Sequence, residues 1–355
     1  MRSVVVTELS QQFDKIQIQQ REKPEPGPGQ VRVRMLMAAV NPSDRNFVRG
    51  DYLKSLQRLL WNRGKSTPSF DPAGLQLYPS FPYALGGEGV GIVDACGSGL
   101  AERRLKGERV AISAGPPNGT WQDYTVVDAK RAIPVPASLS NEQAAMFIIN
   151  PLSAYAMCRH VLSLSTGQWL IQSGAGSALG KMVIRLGREF GFKTINVIRN
   201  EVHRQALLDA GADVVINSET ENILDRVAAV TKGLGVAGAM DCIGGNVAAQ
   251  MVQCLGLKGQ MVVYGTLSGE NIELPSRDLM MPGNTISGFF AGSWLANQAP
   301  ETLLNTIGQL GKLAQKGVFQ TPIAKQFPLE QAAEALAYSF EPARQGKILL
   351  NINPT

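Results

Sequence analysis

The sequence predicts an α/β chain in which a β-rich domain accompanies a doubly wound parallel sheet. Three observations carry this. Between Gln168 and Phe290, short apolar strands alternate with glycine turns and helices, the rhythm that a parallel sheet covered on both faces requires. Ahead of it, the chain reads as short strands divided by Gly and Pro. The length, 355 residues, suits roughly two domains. The domains expected are 1–130, completed by 295–355, and 131–294.

In chain order, Val31–Val40 alternates and then turns apolar, and Gly89–Ala95 and Arg109–Ser113 repeat the strand pattern. Pro24, Pro26, Gly27, Pro28 and Gly29, and later Gly115–Gly119, mark turns. A helix is expected over Gln143–Leu162 after the start signal near Ser138, broken or kinked at Pro151, which supplies no backbone donor. Strands follow at Trp169–Gln172, Thr194–Ile198, Val214–Ile216, Ala239–Cys242 and Gln260–Tyr264. Helices are expected between them at Lys181–Glu189, His203–Ala210, Leu224–Thr231 and Val247–Leu255. Thr285–Phe290 reads as an apolar strand at the sheet edge and Lys347–Ile352 as a closing strand. Ser55–Pro79 fits neither rhythm and carries Arg58, Arg63 and Lys65 against only Asp71. A loop of that length is either a surface excursion or a substrate-contacting lid.

Composition removes several classes. With 44% hydrophobic residues and a mean hydropathy of −0.03 the chain fills its cores, which excludes global disorder. No apolar run approaches the ~18–20 residues of a membrane helix, and polar and acidic residues come too early for a signal or transit peptide, so a cytoplasmic protein is expected. Cys96, Cys158, Cys242 and Cys254 form no C-x-x-C pair, and His160 and His203 are the only histidines. Neither a disulfide framework nor a closed zinc site is expected, and no metal. The two histidines read as surface or capping residues and Cys242 as a small packed one. A net charge of +5, from 34 basic residues interspersed with 29 acidic ones, reads as a solvated surface rather than a nucleic-acid site.

The loop Ser173-Gly174-Ala175-Gly176-Ser177-Ala178-Leu179-Gly180 lies between a strand and a helix. A dinucleotide pyrophosphate needs such a turn, free of bulky side chains, leading into a helix whose free N–H groups face the anion. Gly174, Gly176 and Gly180 leave the room, and Ser177 adds a small hydroxyl. The spacing is G-x-G-x-x-x-G, and the strand–turn–helix setting supports a Rossmann-type site. The next strand ends at Arg199, nineteen residues beyond Gly180. An acidic residue there would read the ribose 2′-hydroxyl of NAD, whereas arginine accommodates a 2′-phosphate. With Arg204 one turn further on, NADPH is the expected cofactor.

On these residues the chain resembles the medium-chain dehydrogenase/reductase superfamily along essentially its whole length. Zinc-dependent alcohol dehydrogenases of that superfamily carry a Cys ligand and a Gly-His-Glu motif where this chain has Asn41-Pro42-Ser43-Asp44 and Gly86-Gly87-Glu88. The resemblance is therefore to the zinc-free branch, which includes quinone reductases and 2-enoyl-thioester reductases. It is nearer the latter through Asn41–Asp44 with Gly50-Asp51-Tyr52, Gly87–Gly89, Gly119-Thr120-Trp121, Asn150-Pro151, Thr194–Arg199, Cys242–Gly245, Met261–Gly265 and Gly288-Phe289. It implies a GroES-like catalytic domain beside the cofactor domain, and a homodimer. It also implies NADPH contacts from Asn150, Gly176, Ser177, Ala178, Leu179, Arg199, Tyr264, Gly265, Thr266, Leu267, Phe289, Phe290 and Lys347. The Ser55–Pro79 segment departs from the enoyl-reductase pattern in length.

Without a metal to polarise an alcohol, reduction of a C=C bond conjugated to a carbonyl is the chemistry expected. Hydride goes to Cβ, donors hold the enolate, and an acid returns a proton at Cα. The resemblance assigns the acid to Tyr52, whose phenol stays protonated at neutral pH. Trp121 either lines the substrate cleft or packs in the core. Asn41 and Asp44, placed with the cleft, either orient the Tyr52 turn or make an ordinary Asx turn. The substrate is a small molecule, a 2-enoyl thioester of CoA or an acyl carrier or another enone. A quinone reductase and a non-catalytic NADPH-binding module are the competing readings.

Overall fold

The computed structural model describes residues 1–53, 79–341 and 345–353. Of the Ser55–Pro79 segment, 55–78, with Arg58, Arg63 and Lys65, lies outside the described residues. The chain divides into one unit of 1–148 with 322–355 and a second of 149–321.

The first unit holds strands β1 (Arg2–Val6), β2 (Ile16–Gln20), β3 (Gln30–Val40), β4 (Tyr83–Ala84), β5 (Glu88–Cys96), β6 (Arg109–Ser113), β7 (Tyr124–Asp128) and β8 (Ala132–Pro134). The second holds β9 (Trp169–Gln172), β10 (Lys193–Ile198), β11 (Val214–Asn217), β12 (Val236–Asp241), β13 (Leu255–Val263) and β14 (Thr285–Gly288). The chain then returns to the first unit with β15 (Ile323–Pro328) and β16 (Lys347–Asn351).

Both boundaries fall later than the expected 130/131 and 294/295, and packing explains each. Asn141–Ala144 lies against β3 and β5, where Ala144, Ala145 and Met146 are buried with Leu36, Met37, Val90 and Leu349. Those apolar side chains leave water only by staying with the first unit. The helix Pro300–Gln315 packs on the helix Ile149–Ala156, buries Leu310 and Leu313, and so belongs to the second.

In the first unit β15-β16-β3-β5-β6-β8 form one sheet, with β7 also on β3, and β2-β1-β4 a smaller one. Val33, Met35, Tyr83, Leu85, Ile112, Trp121, Phe327 and Leu350 fill the core. The closing strand β16 runs antiparallel to β3, pairing Ile348 with Val40 and Leu350 with Ala38. That register brings Lys347 beside the end of β3.

The second unit has the strand order β11-β10-β9-β12-β13-β14, with its strands paired in parallel. The order reverses between β9 and β12, and in such sheets ligands bind outside the carboxyl ends of the strands at that reversal. Ile171, Ile195, Ile216, Ala239, Met251 and Met261 make its core. The long helix expected over 143–162 is instead Asn141–Ala144, Ile149–Ala156 and a π turn at Met157–Val161. Pro151 falls in the first turn of the middle piece, where a missing N–H breaks no helical bond. The break therefore precedes the proline.

Candidate active site

The glycine loop is built from below by Gln172 at the end of β9. Its Nε2 donates to Gly180 O at 2.9 Å and to Asn196 Oδ1 at 2.7 Å, which ties the loop to β10. Gly174 takes φ +58°, and a Cβ there would lie 2.7 Å from Cys242 Sγ; one on Gly180 would lie 2.5 Å from Ala175 O. Side chains are thus excluded where a pyrophosphate needs backbone. Ser177 caps the helix Ala178–Phe190, its Oγ accepting from Gly180 N at 3.0 Å, and Ala178 and Leu179 open the helix. These residues fit the phosphates of a dinucleotide.

At the end of β10, Arg199 is exposed and, among the described residues, enters no ion pair. Arg204 does not stand with it. Its guanidinium is bound to Glu201, to Glu221 at 2.9 Å and to Val215 O at 2.8 Å. These acceptors take four of its five N–H donors, so in this structure Arg204 is engaged with the turn and β11 rather than held free beside Arg199.

The strand ends carry a buried network that sequence reasoning missed. Ser173 Oγ donates to Asp241 Oδ1 at 2.6 Å and accepts from Cys242 N at 3.0 Å, while Asp241 Oδ2 accepts from Gly244 N at 2.9 Å. It fixes the turn after β12. Beside it Tyr264 N donates to Asp241 O, Leu267 N to Cys242 O and Phe289 N to Val263 O, at 2.8, 3.0 and 2.8 Å. Tyr264, Gly265, Thr266, Leu267, Phe289 and Phe290 therefore gather at the carboxyl ends of β13 and β14, with Leu267 and Phe290 exposed. The Tyr264 hydroxyl is buried next to the Cys242 thiol, which burial pushes up to about 11. Asn150 is half-buried in the first turn of Ile149–Ala156.

In the first unit, the helix Pro42–Arg49 starts at Asn41 and ends at Gly50, whose left-handed φ of +79° turns the chain out through Asp51 to Tyr52. Tyr52 is half-buried, edge-on to Phe47 with ring centroids 5.4 Å apart. Burial raises its pKa above the ordinary 10.0, with Asp44 and Asp51 adding and Asn46 opposing. The phenol is thereby kept as an acid.

Behind this turn lies a charged cluster. Asn41 N donates to Asp44 Oδ2 at 2.7 Å and Asn41 Nδ2 to Glu88 Oε1 at 3.2 Å. The Lys347 ammonium donates to Val40 O at 3.0 Å and to Asn41 Oδ1. All four side chains are buried. Burial raises the Asp44 carboxyl to about 7, partly offset by hydrogen bonds from the Asn41 and Gly87 backbone and by Lys347. Asn41 and Asp44 are thus buried, and their hydrogen bond fixes the start of the helix that leads to Tyr52. Of its two sequence readings Trp121 takes the core one. Its ring is fully buried in the core and its Nε1 donates to Ala39 O at 3.2 Å, because indole is most stable with its ring packed and its one donor satisfied. Lys347, expected to contact the cofactor, has its ammonium in this cluster. Glu88, quoted in the sequence only as part of the Gly86-Gly87-Glu88 stretch, joins this cluster through Asn41 Nδ2, a partnership no local motif shows.

Residues 27–137 match the alcohol dehydrogenase GroES-like domain and 178–309 the zinc-binding dehydrogenase family. The mitochondrial enoyl-[acyl-carrier-protein] reductase of Rattus norvegicus is 30% identical over 313 residues, 87% of this chain and 77% of that protein. Its Mus musculus counterpart is 28% identical over 323 residues, 90% and 80% of the two chains. The quinone oxidoreductase of Escherichia coli complexed with NADPH shares the fold, with a TM-score of 0.84 over 99% of this chain and 100% of that one at 23% identity. Its glycine loop, its strand order and its likeness to the rat protein along most of both lengths establish that the chain belongs to the medium-chain dehydrogenase/reductase superfamily.

Proposed function

We propose that this NADPH-dependent oxidoreductase delivers hydride to the polarised C=C bond of a 2-enoyl thioester or another α,β-unsaturated carbonyl compound. The observation that carries the reading is Tyr52, set by the Gly50 turn and held protonated by burial. Bound NADPH supplies the hydride for Cβ. The loop at Gly174–Gly180 holds the pyrophosphate, and exposed Arg199 meets the 2′-phosphate. Tyr52 donates the proton that completes the bond at Cα, which a phenol can do at neutral pH. Relatives named as enoyl-[acyl-carrier-protein] reductases support an acyl thioester over a free quinone.

The deciding experiment follows NADPH loss with crotonyl-CoA, simple enones, and o- and p-quinones, repeated with NADH. Turnover of the enoyl thioester, faster with NADPH, is expected. Turnover confined to quinones would replace this reading with the quinone reductase one.

A homodimer belongs to the same proposal. Among the described residues the outermost strand β14 is paired only on its β13 side and presents Ile286 partly exposed, with Met280 and Met281 exposed just before it. Such an edge favours pairing with a symmetry mate. Sedimentation should give twice the 38.1 kDa chain mass, and a mass of one chain would refute it.

A further inference from the structure

The 3₁₀ turn Glu201–His203 that follows Arg199 places one more side chain at the phosphate loop. His203 packs its ring on Gly176: a Cβ there would lie 2.9 Å from His203 Cδ2 and Cγ and 3.3 Å from Nδ1. Its backbone N–H donates to Asn200 O at 3.2 Å, so the imidazole lies between the loop that faces the pyrophosphate and the turn that carries Arg199. We propose that His203 completes the 2′-phosphate cradle with Arg199, taking up a proton as the dianion binds. The inference rests on the NADPH reading and deepens it.

The charges around the ring support this. Lys181, in the first turn of the helix Ala178–Phe190, is the charged group that faces it, and with burial it holds the His203 pKa below the ordinary 6.5. Lys181 is itself half-buried, with burial and Arg185 lowering its pKa. The acid of the same turn, Glu201, is turned away to Arg204 and to Asn217 Nδ2, the latter at 2.9 Å. Among the described residues no carboxylate forms an ion pair with His203. The turn is thus a cationic corner whose own acid is occupied elsewhere, and burial and Lys181 favour the neutral imidazole there.

The sign follows from linkage. A phosphate dianion beside the ring raises its pKa, and each unit of that rise is a tenfold gain in affinity. The gain is complete below the free-protein pKa and is lost as pH rises through the higher pKa of the complex. The 2′-phosphate itself takes a proton near pH 6, so the comparison that isolates His203 is wild type against His203→Gln at each pH.

Dissociation constants for NADPH and NADH, read from quenching of tryptophan fluorescence between pH 6.5 and 9, test this. Expected for His203→Gln is about tenfold weaker NADPH binding at pH 6.5, little change at pH 9, and unchanged NADH binding throughout. Arg199→Ala should weaken NADPH binding at every pH, pH 9 included. A His203→Gln effect that is independent of pH, or equal for NADH, overturns the inference. Equal binding of NADPH and NADH by the wild type at every pH would instead overturn the NADPH reading on which it rests.

Discussion

Replacing Tyr52 by Phe is expected to lower kcat for an enoyl thioester by about 10²–10³, the usual effect of removing a positioned acid. KM should change little, because the ring and its contact with Phe47 survive. Quinone reduction, where solvent completes protonation, should be almost unaffected. The pH profile belongs to the same prediction. Since burial raises the Tyr52 pKa, its protonated form persists through the whole neutral range, and the wild-type rate should show no decline there from loss of this proton. Steady-state kinetics with crotonyl-CoA checks both points; a Tyr52→Phe enzyme working at the wild-type rate would remove Tyr52 from the chemistry.

The second large effect is on stability. Lys347→Met should cost about 3–5 kcal/mol, the range for breaking a buried charge cluster by removing one partner, against total stabilities of about 5–15 kcal/mol. The loss arises because Asn41 Oδ1 and Val40 O lose their donor and the buried Asp44 carboxyl loses the cation that supports it. It should also depend on pH. Asp44 has a folded-state pKa raised from 3.8 to about 7, so its contribution is full below pH 4 and declines as pH rises through 7. Removing the ammonium raises that pKa further, and the variant should therefore lose more stability at pH 8 than at pH 6. Urea midpoints at the two pH values measure this, and adding Glu88→Gln should recover part of the loss. Equal midpoints for Lys347→Met and wild type would show that the ammonium does not support the cluster.

These two residues mark what is legible in the sequence. Tyr52 is reached in the sequence only through the resemblance, while the turn that presents it, Gly50-Asp51-Tyr52, is a short local motif. The glycine loop is legible as such a motif: room for phosphate depends on consecutive residues, and the strand Trp169–Gln172 before it matches the expectation to the residue. Arg204 misleads because its carboxylate partners become neighbours only when the chain after β10 folds against β11, and periodicity says nothing of that. Trp121 stays open between cleft and core in the sequence because both settings suit an indole, and only the packing around Ala39 decides. Lys347 and Glu88 are separated by most of the chain, so their convergence on Asn41 is a fact of β16 register rather than of any motif. The sequence puts the helix break at Pro151, whereas proline's tolerance for a first helical turn lets the break fall earlier.

The register of β16 has a consequence for the order in which the protein can be made. The second unit is one uninterrupted stretch of chain, 149–321, and is complete while the ribosome is still at work. The first is begun before it and finished after it. Until β15 and β16 are synthesised, β3 lacks one of its antiparallel neighbours, β16, and Asn41 and Asp44 lack the Lys347 ammonium, so a nascent chain cannot complete the cluster behind Tyr52. The proposed acid is encoded early, but its setting waits for a strand encoded after the whole second unit.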